Sequence, residues 1–219
     1  MLRTKFATEI ERLKADNVEL LELIISQHKK AQKALQEENL KLCEEVVDND
    51  KKINEFYVRI FETGIWRIAK QQPVASDLRH IIGYMSIARE LERVGDYARN
   101  IAYFYITQQP PLKYTKYIAE MADQALKMLE LTRKILSDEA RWDEAKSIIK
   151  MDDIIDKTYV EVNSELIKLV LKNVTEAKIR IYTGVMQQLK YLERTGDHVV
   201  NIAETLLLIS HGLHFDSGR

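Results

Sequence analysis

The sequence predicts an all-α protein in which six long helices form two repeated three-helix bundles related by a pseudo-twofold axis. Three observations support this prediction. The 219 residues include only seven Gly and three Pro, apolar residues recur at the three-four spacing of a helix, and the second half of the chain is similar to the first. Alternating apolar and polar runs bounded by turn residues, which are typical of half-buried strands, are absent from the sequence.

Hydrophobic periodicity and stop signals divide the chain into six predicted helices. In the first helix, only Asn17 and Gln27 interrupt the three-four pattern of apolar residues. Pro73 ends the second helix, because proline disfavours helical geometry at the residue before it, and Pro110 with Pro111 ends the third. The predicted helices cover residues 3–36, 38–70, 76–107, 113–137, 140–172 and 176–211.

An internal repeat relates the two halves of the chain. Residues 91–102 read LERVGDYARNIA and residues 192–203 read LERTGDHVVNIA, so eight of twelve positions are identical at an offset of 101. Upstream, residues 46–57 correspond to residues 148–159 at an offset of 102. Because chance does not plausibly produce such similarity, we expect one three-helix unit copied once. The predicted domains are residues 1–109 and 110–219.

Composition and charge exclude several functional classes. With 33 basic and 34 acidic side chains and a formal net charge of −1, the protein has no net field to hold a polyanion, which argues against nucleic-acid binding. No apolar run approaches the roughly 18 residues needed to span a bilayer, and Cys43 has no partner for a disulfide. The charged N-terminal segment lacks the apolar centre of a signal peptide, so we expect a cytoplasmic protein.

Two carboxylate pairs occupy identical places in the repeat. Glu92 and Asp96 stand four residues apart, as do Glu193 and Asp197. Four residues make about one helical turn, so each pair lies on one helix face, at the border of the apolar stripe rather than opposite it. A single pair of this kind is common on solvated faces, but its repetition in both copies favours a shared role.

The middle helix of each repeat places an acid among apolar residues. Asp50 falls on the apolar line of the second predicted helix, and Asp152 falls on the equivalent line of the fifth. Asp156 follows Asp152 by four residues, whereas its counterpart in the first repeat is Asn54. Because an unpaired buried carboxylate is costly, we expect these acids either to coordinate a metal or to form ion pairs.

The spacing leaves both interpretations of these acids open. Oxygen donors without cysteine and with few histidines suit Mg, Mn or Fe, whereas structural zinc sites use thiolate and imidazole sets that are missing here. The alternative is a network of ion pairs within a metal-free helical adaptor, for which basic residues are available. The candidates are Lys51, Lys52, Arg93 and Arg194.

A carboxylate-bridged di-iron enzyme is a third interpretation. That class uses Glu-x-x-His motifs on a helical bundle, and the nearest approach to one, Asp77 with His80, is unmatched in the second repeat. The sequence also has no Gly-rich phosphate loop and no nucleophile motif. We therefore expect a protein without enzymatic activity.

Other positions of the repeat carry weaker signals. Gly95 and Gly196 lie inside predicted helices, where glycine is destabilising, and the close approach of another helix is the usual reason. Asn201 is either a metal ligand or a hydrogen-bond partner across helices. His198 corresponds to Tyr97 in the first repeat, which argues against a shared role for this position.

Three motifs together resemble those of the PhoU family of phosphate-transport and phosphate-signalling regulators. They are the repeated LERxGDxxxNIA, the DxxxD pattern of the middle helices, and PVASDLR at residues 73–79. The resemblance covers essentially the whole chain and implies two similar three-helix bundles whose acidic motifs bind clusters of iron or other divalent ions, with Fe, Mn, Mg and Zn as candidates. Asn54 departs from the acidic pattern. The implied ligands are Glu92, Asp96, Glu193, Asp197, Asp152, Asp156, Asp50 and Asn54.

The resemblance further implies a negative regulator of high-affinity phosphate uptake. Members of the family act with the ATPase subunit of the phosphate ABC transporter and, in many bacteria, with a sensor histidine kinase. We therefore expect these two protein partners, no nucleic-acid partner and no membrane-spanning segment. We also expect a homodimer.

Overall fold

The computed structural model describes residues 2–172 and 175–211, and within them the chain forms six α-helices and no strand. The predicted all-α fold is confirmed. All described helix ends lie within two residues of their predicted positions, except the start of the fifth helix. The helices are α1 (Leu2–Gln36), α2 (Leu40–Gln71), α3 (Ala75–Gln108), α4 (Leu112–Ser137), α5 (Ala145–Val170) and α6 (Glu176–His211).

The fifth helix begins later than the periodicity predicts. Residues Glu139–Glu144 form a 3-10 helix, so α5 begins at Ala145 and not at residue 140. A 3-10 helix has three residues per turn, so this segment does not continue the three-four spacing of the α-helix that follows it. Among the described side chains of this segment, burial begins with Ala145 and continues at Ile148.

Local signals in the sequence set the helix ends. The Asn39 side chain accepts a hydrogen bond from the backbone N–H of Leu42 at 3.1 Å and so caps the start of α2. Beyond the other end of α2, Gln72 has a φ of 45°, in the left-handed region, and Pro73 follows it. Gln109, with a φ of 41°, ends α3 in the same way before the next proline. The predicted proline stops are therefore confirmed.

The helices form two equivalent bundles that pack against each other through like elements. Helices α1, α2 and α3 contact one another in the first bundle, and α4, α5 and α6 do so in the second. Across the join, α1 lies against α4 and α3 lies against α6. The four inner helices thus form the shared core, while α2 and α5 lie outside it, each against the third helix of its own repeat. This arrangement brings the acids of α2 close to those of α3, and the acids of α5 close to those of α6.

The two polar interruptions of the first helix are buried, as their place on the apolar line predicts. The side-chain amide of Asn17 donates to the carbonyl oxygen of Leu13 at 2.8 Å, and that of Gln27 donates to the carbonyl oxygen of Val46 at 3.3 Å. Buried amides of this kind are tolerated because a backbone acceptor satisfies the donor.

His28 is the third buried polar residue of α1. Its Nε2 lies 2.9 Å from the carbonyl oxygen of Val94 on α3, which can only accept a hydrogen bond. Burial lowers the pKa of His28 to about 4, although the hydrogen bond to Val94 opposes the shift. The side chain is therefore a neutral hydrogen-bond donor that joins α1 to α3 near neutral pH.

The outward faces of the helices are charged. Ion pairs between residues four apart run along them, for example Lys116 with Glu120 at 3.5 Å and Lys127 with Asp123 at 2.6 Å on α4. Within the described residues, no helix is both long enough and apolar enough to cross a membrane.

Candidate functional site

Two glycines allow the middle helix of each repeat to approach the helix that carries the paired acids. A Cβ added to Gly95 of α3 would lie 3.1 Å from Cγ2 of Ile53 on α2. A Cβ added to Gly196 of α6 would collide with Oδ1 of Asp152 on α5. Close helix approach therefore explains both glycines, as the sequence predicts, and it places a buried acid of each middle helix beside the acids of the next helix.

In the first repeat the acids surround an arginine. Asp50 is 7% exposed, and Glu92 and Asp96 are half-buried at the edge of α3. Arg99 places Nε 3.3 Å from Oδ2 of Asp50 and Nη2 3.4 Å from Oδ1 of Asp96. The side-chain amide of Asn54 donates to Oδ2 of Asp50 at 3.3 Å. Four of the eight predicted ligands thus lie together in one cluster.

The carboxylates of this cluster repel one another. Burial raises the pKa of Asp50, and the charge of Asp96 raises it further, while Arg99 opposes the shift. Burial also raises the pKa of Glu92, again assisted by Asp96. Burial is therefore the main cause of both shifts, and at Asp50 the charge of Arg99 opposes the shift more strongly than the charge of Asp96 assists it.

In the second repeat the acids meet a lysine instead. Asp152 is fully buried against Gly196. Lys190 Nζ lies 2.6 Å from the carboxylate of Glu193, three residues along the same helix, and also faces the ring of Tyr159 at 5.3 Å. Burial alone would lower the pKa of Lys190, but the hydrogen bond and charge of Glu193 outweigh it and raise the pKa.

The remaining predicted ligands, Asp156 and Asp197, are half-buried on α5 and α6. In the part of the chain that the structure describes, no three His, Cys, Asp or Glu side chains converge on a point where they could hold a metal ion. The donor set still fits a hard or borderline cation, because it consists of carboxylate oxygens without thiolates. Because Gly196 has no side chain, the Asp152 carboxylate also lies directly against α6. Metal binding at these residues stays a prediction.

The PhoU domain model matches the chain twice, at residues 18–104 and at residues 118–206. The chain belongs to the PhoU family. The two matches fall in the two bundles and include the acidic segment of each, so the repeat seen in the sequence and in the fold is a repeat of PhoU domains.

Relatives with curated names are similar over most of their length. A phosphate-specific transport system accessory protein PhoU homolog from Rhizobium meliloti strain 1021 is 33% identical over 183 residues, which cover 82% of this chain and 76% of the relative. A homologue of the same name from Clostridium acetobutylicum is 28% identical over 219 residues, which cover 99% of both chains.

Solved PhoU structures have the same architecture. The crystal structure of PhoU from Pseudomonas aeruginosa superposes with a TM-score of 0.85 at 27% identity, covering 95% of this chain and 100% of that one. The phosphate transport system regulatory protein PhoU from Streptococcus pneumoniae superposes with a TM-score of 0.86 at 27% identity, covering 96% and 99%. The helical order and both repeats are therefore those of PhoU.

Arg93, one of the cations that the sequence offers as an ion-pair partner, contacts both Glu92 and Asp96 in this PhoU chain, but two other cations lie closer to the acids. Arg99 and Lys190 contact the acids most closely, each three residues from an acid on its own helix, Asp96 and Glu193 respectively. Spacing of three is a recognised signal for a contact on one helix face. Arg93 alone among the named candidates lies near the first cluster, 3.7 Å from Glu92, with most of its side chain in solvent.

A second polar cluster joins the two PhoU domains. The equivalent residues Tyr97 and His198 meet, with the hydroxyl 3.1 Å from Nε2, and Tyr97 stacks on Tyr191 with ring centroids 5.2 Å apart. The other ring nitrogen of His198 lies 2.7 Å from Oε2 of Glu90, which also accepts a hydrogen bond from Asn201 at 3.0 Å. Asn201 therefore bonds across helices, one of the two roles that its position allowed.

Glu90 is charged in this cluster. Burial alone would raise the pKa of Glu90, but hydrogen bonds from His198 and Asn201, together with the charges of His198 and Arg89, outweigh it and lower the pKa. The carboxylate only accepts hydrogen bonds, so Nδ1 of His198 carries the proton between them. This contact lies between α3 and α6 and fixes the two repeats relative to each other.

Proposed function

We propose that this chain is an accessory protein of phosphate-specific transport that represses phosphate uptake and phosphate-responsive signalling when phosphate is abundant. The observation that carries the proposal is the pair of PhoU domains, supported by relatives of nearly the same length whose names place them in that transport system. The protein acts by binding other proteins in the cytoplasm and has no catalytic role of its own.

The proposed partners are the ATPase subunit of the phosphate ABC transporter and a sensor histidine kinase, with a homodimer as the proposed assembly. The two outer helices support a role in protein contacts. Val58 on α2 and Val160 on α5 are equivalent and are 47% and 61% exposed, and Ile65 and Ile167, also equivalent, are 50% and 51% exposed. Exposed apolar residues that recur in both copies on one helix face suit a protein that binds partners.

The acids of the second repeat hold a divalent cation or iron in this proposal. Asp152 and Asp156 lie on α5, which packs against the helix that carries Glu193 and Asp197. A bound cation would neutralise their mutual repulsion and join the two helices. Fe, Mn, Mg and Zn are the candidate metals.

A metal-free helical adaptor is the second candidate function. The specific observation in its favour is that a cation of the chain already contacts acids in each repeat, Arg99 in the first and Lys190 in the second. In this alternative the acids only stabilise the bundles through ion pairs.

Deletion of the gene in its host tests the regulatory proposal. Phosphate-uptake genes should be expressed in phosphate-rich medium after deletion, and a plasmid copy should restore repression. A plasmid that carries Ile65→Glu with Ile167→Glu should fail to restore it, because both changes place charge on the proposed contact face. Unchanged gene expression and phosphate uptake in the deletion strain would contradict the proposal.

The metal content of protein purified without chelator separates the two candidates. The double variant Glu193→Ala with Asp197→Ala should lose the bound metal, while circular dichroism shows an intact helical fold. This result would support the proposed metal binding. Protein that holds no metal after exposure to each candidate ion in turn supports the adaptor.

A further inference from the structure

Arg99 occupies the centre of the first acid cluster. Its guanidinium bridges Asp50 on α2 and Asp96 on α3, at 3.3 Å and 3.4 Å. These are the two helices whose acids would have to converge on a metal ion in this repeat. We propose that Arg99 is a built-in cation that closes the first repeat to metal, so that only the second repeat takes up metal. This inference rests on the metal binding proposed above.

The atoms around Asp50 support the closing role. Its Oδ2 forms an ion pair with the guanidinium, 3.3 Å from Nε, and also accepts the hydrogen bond from the Asn54 amide. Its Oδ1 is buried and has no hydrogen-bond partner among the described residues. Arginine does not lose its proton at any physiological pH, and its planar fork contacts two acceptors at once. An incoming cation would therefore have to displace a permanent positive charge from both carboxylates.

The second repeat has no cation at the equivalent position. Val200 replaces Arg99 there and is buried, and Asp156 replaces Asn54. Lys190 of that repeat contacts Glu193 on its own helix. The second repeat thus supplies four carboxylates and no arginine at the position of Arg99, whereas in the first repeat one guanidinium joins a carboxylate of α2 to a carboxylate of α3.

The two repeats also differ in the contacts made by the basic residue just before the acidic segment. The counterpart of Lys190 in the first repeat is Arg89, which lies 3.4 Å from Glu90 in the contact between the repeats and not in the acid cluster. In the first cluster Arg93 contacts acids of its own helix, whereas Arg99 joins the acids of α2 and α3. Removal of this one side chain should leave an acid cluster like that of the second repeat.

Manganese(II) alone serves as the probe, with bound metal per chain measured by equilibrium dialysis and affinity measured by calorimetry. The parent protein for the test carries Glu193→Ala and Asp197→Ala, which remove the second cluster. Adding Arg99→Val, the residue found in the second repeat, should strengthen manganese binding by about tenfold or more. Adding Arg99→Lys should not, because the positive charge remains. Arg93→Val is the matched control, because it removes a neighbouring but mostly exposed arginine.

The outcomes separate this inference from the proposed metal function. Suppose that the second repeat of the unmodified chain binds manganese, but Arg99→Val gives folded protein with no gain in manganese affinity. This result overturns the closing role and leaves the proposed metal binding of the second repeat intact. A gain in manganese affinity from Arg99→Val that is lost when Asp96→Ala is added supports the closing role. This conclusion holds even if the unmodified chain binds no metal, a result that contradicts only the metal binding proposed for the second repeat. Should Arg99→Val not fold, Arg99→Gln removes the charge with a polar side chain of similar length, and the same readings apply to it. Manganese bound equally by both repeats of the unmodified chain overturns the inference.

Discussion

The first and second repeats share the segment that carries their acids, residues 91–102 and 192–203, yet they balance its charge with different residues. In the first repeat an arginine inside the segment reaches back to the middle helix. In the second, valine stands at that position and a lysine three residues before Glu193 supplies the positive charge. The same acids can therefore stand in two different electrostatic environments, which are set by a variable position inside the segment and by a residue before it.

The first helices of the two repeats differ in a similar way. Burial on α1 recurs on α4 at an offset of 101 residues. The buried polar residues of α1 have apolar counterparts, and in particular His28 corresponds to the fully buried Leu129. At these positions α1 buries amide and imidazole side chains where α4 buries apolar ones. The predictions below test these differences, beginning with the largest expected effect.

The first prediction concerns acid sensitivity. The pKa of His28 is about 4 in the folded protein and 6.5 ordinarily, so the unfolded chain binds more protons between these values. The stability due to neutral His28 is complete above the ordinary pKa and is lost as the pH falls from there to about 4. One pKa unit corresponds to about 1.4 kcal/mol, so the free energy of unfolding should fall by about 3 kcal/mol over this range.

Urea unfolding as a function of pH measures this loss. His28→Leu introduces the residue of the second repeat and should remove the His28 contribution to the pH dependence. Gln27→Met, which also copies the second repeat, is the control, because it removes a buried polar side chain that does not titrate. Equal pH dependence in the wild type and in His28→Leu would show that burial of this histidine does not make the first repeat acid-sensitive.

The second prediction compares the buried acids of the two middle helices. Saturating metal should stabilise the wild type by about 2.7 kcal/mol at a concentration about a hundredfold above Kd, provided that the unfolded chain binds none. Asp152→Ala should lose this increment, so that the stability of this variant is the same in metal and in EDTA. Asp50→Ala should be destabilising equally with and without metal, because it leaves Arg99 without one of its two carboxylates.

Urea melts of both variants in metal and in EDTA make this comparison. A loss of stability in Asp152→Ala that is the same in both conditions would exclude coordination as the role of that carboxylate. A metal-dependent loss in Asp50→Ala would show instead that the first repeat binds metal too.

The third prediction concerns the two glycines. Gly196→Ala should destabilise the protein by about 2 kcal/mol, because the new methyl group would collide with the short and fully buried Asp152 side chain. Gly95→Ala should change stability by less than about 1 kcal/mol, because its methyl group would lie 3.1 Å from Cγ2 of Ile53, a close contact that a small shift relieves, and alanine is a better helix former. Chemical denaturation of the two variants provides the measurement, and equal losses would contradict the difference in helix approach.

The sequence predicts the fold well because its signals are local. The three-four spacing places Asn17 and Asp50 on buried faces, and the prolines mark the helix ends within two residues. The same reasoning places α5 too early, since the apolar spacing does not distinguish an α-helix from the 3-10 turn before Ala145. The existence of each helix thus follows from the sequence, and the exact start of α5 does not.

The candidate site is only partly predictable because its contacts are tertiary. Spacing places the eight acidic or amide residues on facing helices, but it does not show that Arg99 turns toward Asp50 on another helix. The contact between Glu90 and His198 cannot be predicted from the sequence, because the two residues are 108 positions apart and meet only when the repeats pack together. Their identities differ from those of their counterparts, Tyr191 and Tyr97, so the repeat itself gives no hint of the contact.

The last prediction tests this contact between the repeats, where the expected effect is smallest. The pKa of Glu90 is lower than its ordinary value of 4.5, so its contribution to stability is present above that value and is lost as the pH falls through the lower pKa of the folded state.

Glu90→Gln should cost about 1 kcal/mol near neutral pH, because it removes the charge but keeps a side chain of the same shape. Tyr191→Phe, at the other end of the same contact, should have an effect that does not change between about pH 3 and pH 7, because tyrosine does not titrate there. The measurement is the free energy of unfolding of the wild type, Glu90→Gln and Tyr191→Phe across this pH range. A difference between the wild type and Glu90→Gln that narrows toward acid pH supports an ionised Glu90 as the acceptor for His198 and Asn201, and a difference that stays constant would mean that the two repeats are held together without this charge.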